Sequence, residues 1–446
     1  MEFEVLKRSH VKRNIAIGTI GVLIISAIIL NFTSAKYRVT DSVPLINGTI
    51  NYTPYDFKIM AMYQEDDTGE YIEIEEMPGS EYIINETESY CTVDNVNKDD
   101  GAILYTNENG EHVFSGLKKN SKCYLYFDER ICKIGAVACN TIMANMTNID
   151  RRTDFSTTLK ETTSGKIYKA YDDDGATYYF AGAPTDNWVS FAGFYWRIIR
   201  INGDGSVRLI YSGDSSSGPT TTGESTQIGT SIFNENNNDN VYVGYMYGTP
   251  GSDTYEQTHA NINDSTIKTV LDTWYENNLL KYEKYISQDS GFCGDRSYVS
   301  GDGYGTSITA YGAYGRLISL KEPNFKCTNQ NDLYTKKNSK QGNNALDYPI
   351  GLITADEVSY AGGVYGINNT DYYLFTNAEY VTLSPSDYNY NRSALFYIDP
   401  NGWINGDFGY GGNNNPIGVR PVINLRSDVE VLRGSGTQTD PYVITE

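Results

Sequence analysis

The stretch Phe194-Tyr195-Trp196-Arg197-Ile198-Ile199-Arg200-Ile201 runs into Asn202-Gly203-Asp204-Gly205 and returns through Ser206 to Tyr211. β-Branched and aromatic side chains favour a pleated backbone, and Asn-Gly and Asp-Gly pairs supply the positive φ that tight turns need. The stretch therefore predicts a hairpin. Its apolar density, at Trp196, Ile198, Ile199, Leu209 and Ile210, places it at the centre of a sheet. Any fold for these 446 residues is built around that pair, and the length allows two or three domains with separate cores.

Upstream, short apolar alternations recur at Phe57 to Met62, Tyr71 to Ile74, Tyr82 to Ile84, Val113 to Phe114 and Cys123 to Phe127. They predict an all-β sandwich over residues 36–130, serving as a stalk. It is not of antibody type, because no Trp stands between Cys91 and Cys123. Ile131 to Met146 reads as a short helix and Asn148 to Thr163 as a polar hinge, which makes 131–164 a linker. From Gly165 to Glu446 the pattern is α+β. Asp264 or Ser265 can cap a helix whose Ile267, Val270, Leu271, Trp274 and Leu279 share a face. Thr354 and Glu357 have capping-box spacing before a stop at Gly362-Gly363.

The N-terminus bears on location. Ile15 to Leu30 carries no charge and follows Lys7, Arg8, Lys12 and Arg13. Basic flanks stay in the cytoplasm, so 1–13 reads as a cytoplasmic tail and 14–32 as a transmembrane anchor, with a signal segment cleaved near Thr33-Ser34-Ala35 as the alternative. The expected location is a cell membrane crossed once, with the bulk of the chain outside. In that oxidising setting Cys91, Cys123, Cys132, Cys139, Cys293 and Cys327 suggest disulfides, and we expect nearest neighbours to pair. A net charge of -21 argues against a nucleic-acid footprint, which requires clustered cations.

Signals for catalysis are weak. Gly213-Asp214-Ser215-Ser216-Ser217-Gly218 lacks a nucleophile elbow, and few histidines are available as a base. Gly301-Asp302-Gly303-Tyr304-Gly305 neither follows a clear strand nor opens a helix, so it reads as a turn. Glu322-Pro323-Asn324 and Asp172-Asp173-Asp174-Gly175 contain calcium-type ligands, yet read as a chance tripeptide and a solvated acidic turn. The expectation is a non-enzyme with neither cofactor nor metal.

Asp387 to Asn415 is dominated by Asn, Asp, Tyr, Ser and Gly, interleaved with Leu395, Phe396, Ile398, Trp403, Ile404 and Phe408. Tyr gives broad amphipathic contact at low rotamer cost and the small polar residues give adaptable hydrogen bonds, so the tract reads as a recognition surface on a packed scaffold. Four phrases, FAGFYWRIIRINGDGSVRLIY, VYVGYMYGTP, LITADEVSYAGGVYG and GVRPVINL, resemble surface proteins of gut bacteria. Their C-terminal architecture is similar to the C-type-lectin-like fold of formylglycine-generating-enzyme-type domains and of the variable proteins of diversity-generating retroelements. The resemblance implies a lectin-like domain over 165–446 with adenine-targeted variable positions. Those positions would be Tyr388, Asn389, Tyr390, Asn391, Arg392, Asn401, Trp403, Asn405, Asp407, Tyr410 and Asn413. Val419, Val422 and Leu425 would be packing residues beneath them. The absence of cysteine after Cys327 departs from the oxidase branch of that fold. The expected role is ligand binding or adhesion toward a protein or glycan on another cell, phage or host surface, with a structural or fibre-forming envelope subunit as the alternative.

Overall fold

The computed structural model describes residues 57–445, apart from 67, 94, 328, 339 and 407–414. The tail expected at 1–13 and the membrane segment at 14–32 lie outside the described residues. Among those described, no helix is long and apolar enough to cross a membrane. The expected fold class is corrected. Strands make up 34% and helices 15%, so the chain is β-rich instead of α+β, and large sheets replace the lectin-like arrangement. The helical stripes in the sequence are real, but they are short.

Residues up to Glu129 and from Arg130 onward form two compact units. In the first, β1 (Phe57–Glu65) pairs antiparallel with β2 (Tyr71–Ile74). Later strands are β3 (Tyr82–Ile84), β4 (Tyr90–Val93), β5 (Asn97–Lys98), β6 (Ile103–Thr106), β7 (His112–Ser115) and β8 (Ser121–Glu129). β8 runs parallel to β1 and antiparallel to β3 and β4. Its Cys123, Leu125 and Phe127 are buried while Lys122, Tyr124 and Tyr126 are half-buried on the opposite face, the period of two expected of a strand with one dry side. Leu104 and Phe114, from the β6–β7 ribbon, close over that side. The layers are thus a six-stranded sheet and a two-stranded ribbon, not the two matched sheets of the expected sandwich. Cys91 and Cys123 stand directly opposite and form a disulfide.

The second unit begins with the residues expected to be a linker. Helix α1 (Val137–Met143) is tied by the Cys132–Cys139 disulfide, and Cys132, Ala138, Cys139 and Ile142 enter the main core. Segment 131–164 is therefore part of this unit. Its β9 (Asn148–Asp150) is the edge of an eight-stranded sheet that continues through β10 (Lys166–Asp172) and β11 (Gly175–Tyr179). β12 (Trp188–Phe191), β13 (Phe194–Ile201) and β14 (Val207–Asp214) follow. The β13–β14 hairpin is central, as its apolar density requires, and Gly205 takes the positive φ of its turn at 86°.

A second sheet, of seven strands, holds β15 (Thr230–Ser231), β16 (Tyr298–Ser300), β17 (Thr309–Tyr311), β18 (Tyr380–Asn389), β19 (Arg392–Ile398), β20 (Ile404–Asn405) and β21 (Ile417–Gly418). The chain then returns to the first sheet with β22 (Val422–Leu425) against β14 and β23 (Tyr442–Val443) against β12. Val419, Val422 and Leu425 are buried, as scaffold residues should be. Helix α2 (Thr266–Asn278) is capped by Ser265, whose Oγ accepts from Lys268 N at 3.2 Å, and buries Ile267, Leu271 and Tyr275. Helix α3 (Ala355–Ala361) has the expected capping box between Thr354 and Glu357.

Candidate functional site

The tract expected to bind ligand is one hairpin and its return. Tyr388 is 1% exposed, and its hydroxyl donates to Asn238 O at 3.0 Å, so it belongs to the scaffold and not to the surface. The turn follows at once. Tyr390 and Asn391 have φ of 48° and 60°, the left-handed pair that a two-residue hairpin turn requires, and Tyr390 is 78% exposed. Asn391 and Arg392 are exposed and Asn389 is half-buried. Asn401, Trp403 and Asn405 lie past the other end of β19. Asn401 Nδ2 donates to Asp399 Oδ2 at 3.0 Å, Trp403 N to Asp399 Oδ1 at 3.2 Å, and Asn405 Nδ2 to the Tyr397 hydroxyl at 2.9 Å. A strand advances about 3.3 Å per residue, so the six steps from Arg392 to Ile398 set the ends of β19 roughly 20 Å apart, with Asn405 opposite Tyr397. Asp407, Tyr410 and Asn413 lie outside the described residues.

Two acidic clusters prove to be structural. Asp264, Asp272 and Asp347 surround Lys268 Nζ at 3.1, 2.6 and 3.4 Å, so a protein cation already stands among them. Asp172, from the turn expected to be solvated, is buried and bonds Arg200 Nη1 at 2.5 Å. Glu357 completes this network, 3.3 Å from Arg200 Nε and 2.5 Å from Arg208 Nε. Burial alone would raise the Glu357 carboxyl, but the Arg208 and Arg200 cations outweigh it and hold it below its ordinary value. Arg316 joins Asp356 at 2.9 Å and Asp295 at 2.7 Å along the same void, whose volume of about 60 Å³ suits a few waters, not a ligand. Asn324, from the lectin-like tripeptide, donates its backbone N–H to Asp356 at 2.9 Å.

A different site takes shape around Arg197. Register places Trp188 of β12 opposite Arg197 of β13, so the guanidinium lies 4.3 Å from the indole centroid and 5.1 Å from that of Tyr373. Arg197 is 4% exposed. Its Nε donates to Asn187 Oδ1 at 2.6 Å and its Nη2 to Pro184 O at 2.9 Å. Nη1 has no acceptor, and no carboxylate lies within ion-pair distance, among the described residues. Burial pushes the guanidinium down to about 9, opposed by Tyr373 and by the buried Asp186 carboxylate and reinforced by the positive charge of Arg420. Arg420 is itself buried, bonded to the carbonyls of Tyr211 and Leu374 and lying over Tyr380. The hydroxyls of Tyr372 and Tyr373 are buried without a partner.

Above these groups opens a cleft of about 770 Å³, within the range of small-molecule sites. Threonines line it, including Thr162, Thr185, Thr222, Thr370 and Thr439, and a Lys160–Asp371 pair at 3.5 Å stands at its edge. Sequence reading missed this site. The available signal was a strand arginine between Trp196 and Ile198, which must be buried and must find compensation. No protein-family model, curated protein or solved structure matches the chain.

Proposed function

We propose that the protein is an exterior ligand-binding or adhesion protein that acts by complementarity and not by turnover, and that the Arg197 cleft is where its second unit takes ligand. The observation that carries this reading is the open, hydroxyl-lined cleft over a buried guanidinium that is bonded to an amide and a carbonyl and forms no contact ion pair among the described residues. The three disulfides, which use all six cysteines, support an oxidising setting. His259 offers no general base, because burial, with Arg296 beside it, pushes its imidazole down to about 3. The exposed hairpin tip at Tyr390 to Arg392 is available as a second contact surface.

The test is a screen of the full chain against immobilised glycans and host or bacterial surface proteins, with Thr185→Trp to fill the cleft and Tyr390→Ala to change the tip. Retention that is lost in the first variant and kept in the second is expected. Retention that survives cleft filling removes the cleft from the mechanism. Assembly that grows with concentration in the absence of any ligand would replace this reading with that of a structural envelope subunit.

A further inference from the structure

We infer that the cleft takes a carboxylate-bearing saccharide, with its carboxylate on Arg197 and its hydroxyls among the cleft threonines; this rests on the ligand-binding reading above. The cation is the first ground. Its neighbours satisfy Nε and Nη2 and leave Nη1 without an acceptor among the described residues, so one face of the planar fork remains to be bonded. Arg420 adds a second buried guanidinium, and its bonds go to the carbonyls of Tyr211 and Leu374, not to a carboxylate. Arg197 lines the cleft and Arg420 lies beneath it, so that with the single buried Asp186 carboxylate opposing two guanidiniums the ground under the cleft stays positive on a chain of net charge -21. An anion entering there exchanges water for charge-assisted bonds in a medium of low dielectric.

The second ground is the two tyrosines. The hydroxyls of Tyr372 and Tyr373, both on residues lining the cleft and both more than nine-tenths buried, have no partner. A buried hydroxyl without a partner is costly, so a small side-chain shift that brought either one to a ligand oxygen would be favoured. The third ground is the lining, which favours a polyhydroxylated ligand over an acidic peptide. Thr162, Thr222, Thr370 and Thr439 supply hydroxyls that can donate and accept, Thr185, which donates to Thr163 O, can still accept, and Lys160, the cation at the edge, is already paired with Asp371. A row of side-chain carboxylates would meet a single cation and then Asp371. A sugar acid presents one charge and several hydroxyls.

The experiment uses the full chain and three probes: digalacturonate, its methyl ester and tetraglutamate, titrated by calorimetry. The acid should bind at least about tenfold more tightly than the ester, the size of one charge-assisted bond. Arg197→Met should erase that preference and Arg197→Lys should keep part of it, with thermal midpoints verifying the fold. Thr185→Glu, a change at an exposed position, sets a competing carboxylate at the cleft and should weaken the acid more than the ester. Equal affinities for acid and ester overturn the assignment of charge while leaving the ligand-binding reading intact. Tighter binding of tetraglutamate overturns the saccharide class. If neither sugar binds while cleft filling still abolishes retention in the wider screen, this inference fails alone; if the screen itself finds no cleft-dependent retention, the proposed function fails with it.

Discussion

Two groups of buried and half-buried arginines lie in the same unit and are treated in opposite ways. Arg200, Arg208 and Arg316 have carboxylates, with Glu357 shared between the first two and Asp356 and Asp295 given to the third. Arg197 and Arg420 have backbone carbonyls, one amide oxygen and aromatic rings. The first arrangement is closed: each guanidinium has a carboxylate in contact and the void beside it is small. The second is open, with a cleft above it. The closed group reads as a structural staple, and the open one is the group proposed to meet ligand.

The sharpest way to break this comparison is Glu357→Ala. It leaves Arg200 and Arg208 short of a counter-charge and removes the capping box of α3, so we expect a loss of about 3–5 kcal/mol, read from denaturant midpoints. Next comes the Cys293–Cys327 disulfide, which lines the closed void. Its replacement by serines should cost about 3 kcal/mol, and a change under 1 kcal/mol would mean that the ion network holds that wall unaided.

The pH response comes third. His259 is neutral when folded because its value is pushed down to about 3, and when unfolded it takes a proton below about 6.5. Its contribution is therefore complete above pH 6.5 and erodes as pH falls toward 3. By pH 5 the loss is of the order of 2 kcal/mol, and His259→Gln should flatten that part of the stability curve. The smallest effect belongs to the open group. Arg197→Met removes a desolvated charge that has no contact ion pair, at the cost of its bonds to Asn187 and Pro184 and of its field on Asp186, so the loss should stay at about 1–2 kcal/mol, below that of Glu357→Ala. A loss as large as that from Glu357→Ala would show that Arg197 is a staple as well.

What was legible in the sequence was local. The β13–β14 hairpin follows from apolar strands around Asn202 to Gly205, α2 from its apolar stripe, and α3 from the spacing of Thr354 and Glu357. Pairing of neighbouring cysteines needed only proximity along the chain, and all three bonds formed that way. What remained hidden depends on distant partners. Glu357 meets Arg200 and Arg208 across about 150 residues, and Asp172 looked like a solvated turn because Arg200 lies on another strand. Tyr388 looked like surface because its composition matched its neighbours, yet β17 pairs with it on one side and β19 on the other. The cleft joins β12 and β13 to a loop at Tyr372 and Tyr373, a meeting that no window of sequence contains.

The hairpin tip carries its own consequence. A tyrosine with φ of 48° is held in a conformation that costs a side-chain-bearing residue about 1–2 kcal/mol and costs glycine almost nothing. Tyr390 carries that cost with most of its surface in water. Folding alone would favour glycine or asparagine there, so a bulky ring kept at this corner across variants would be a record of selection by something the chain touches.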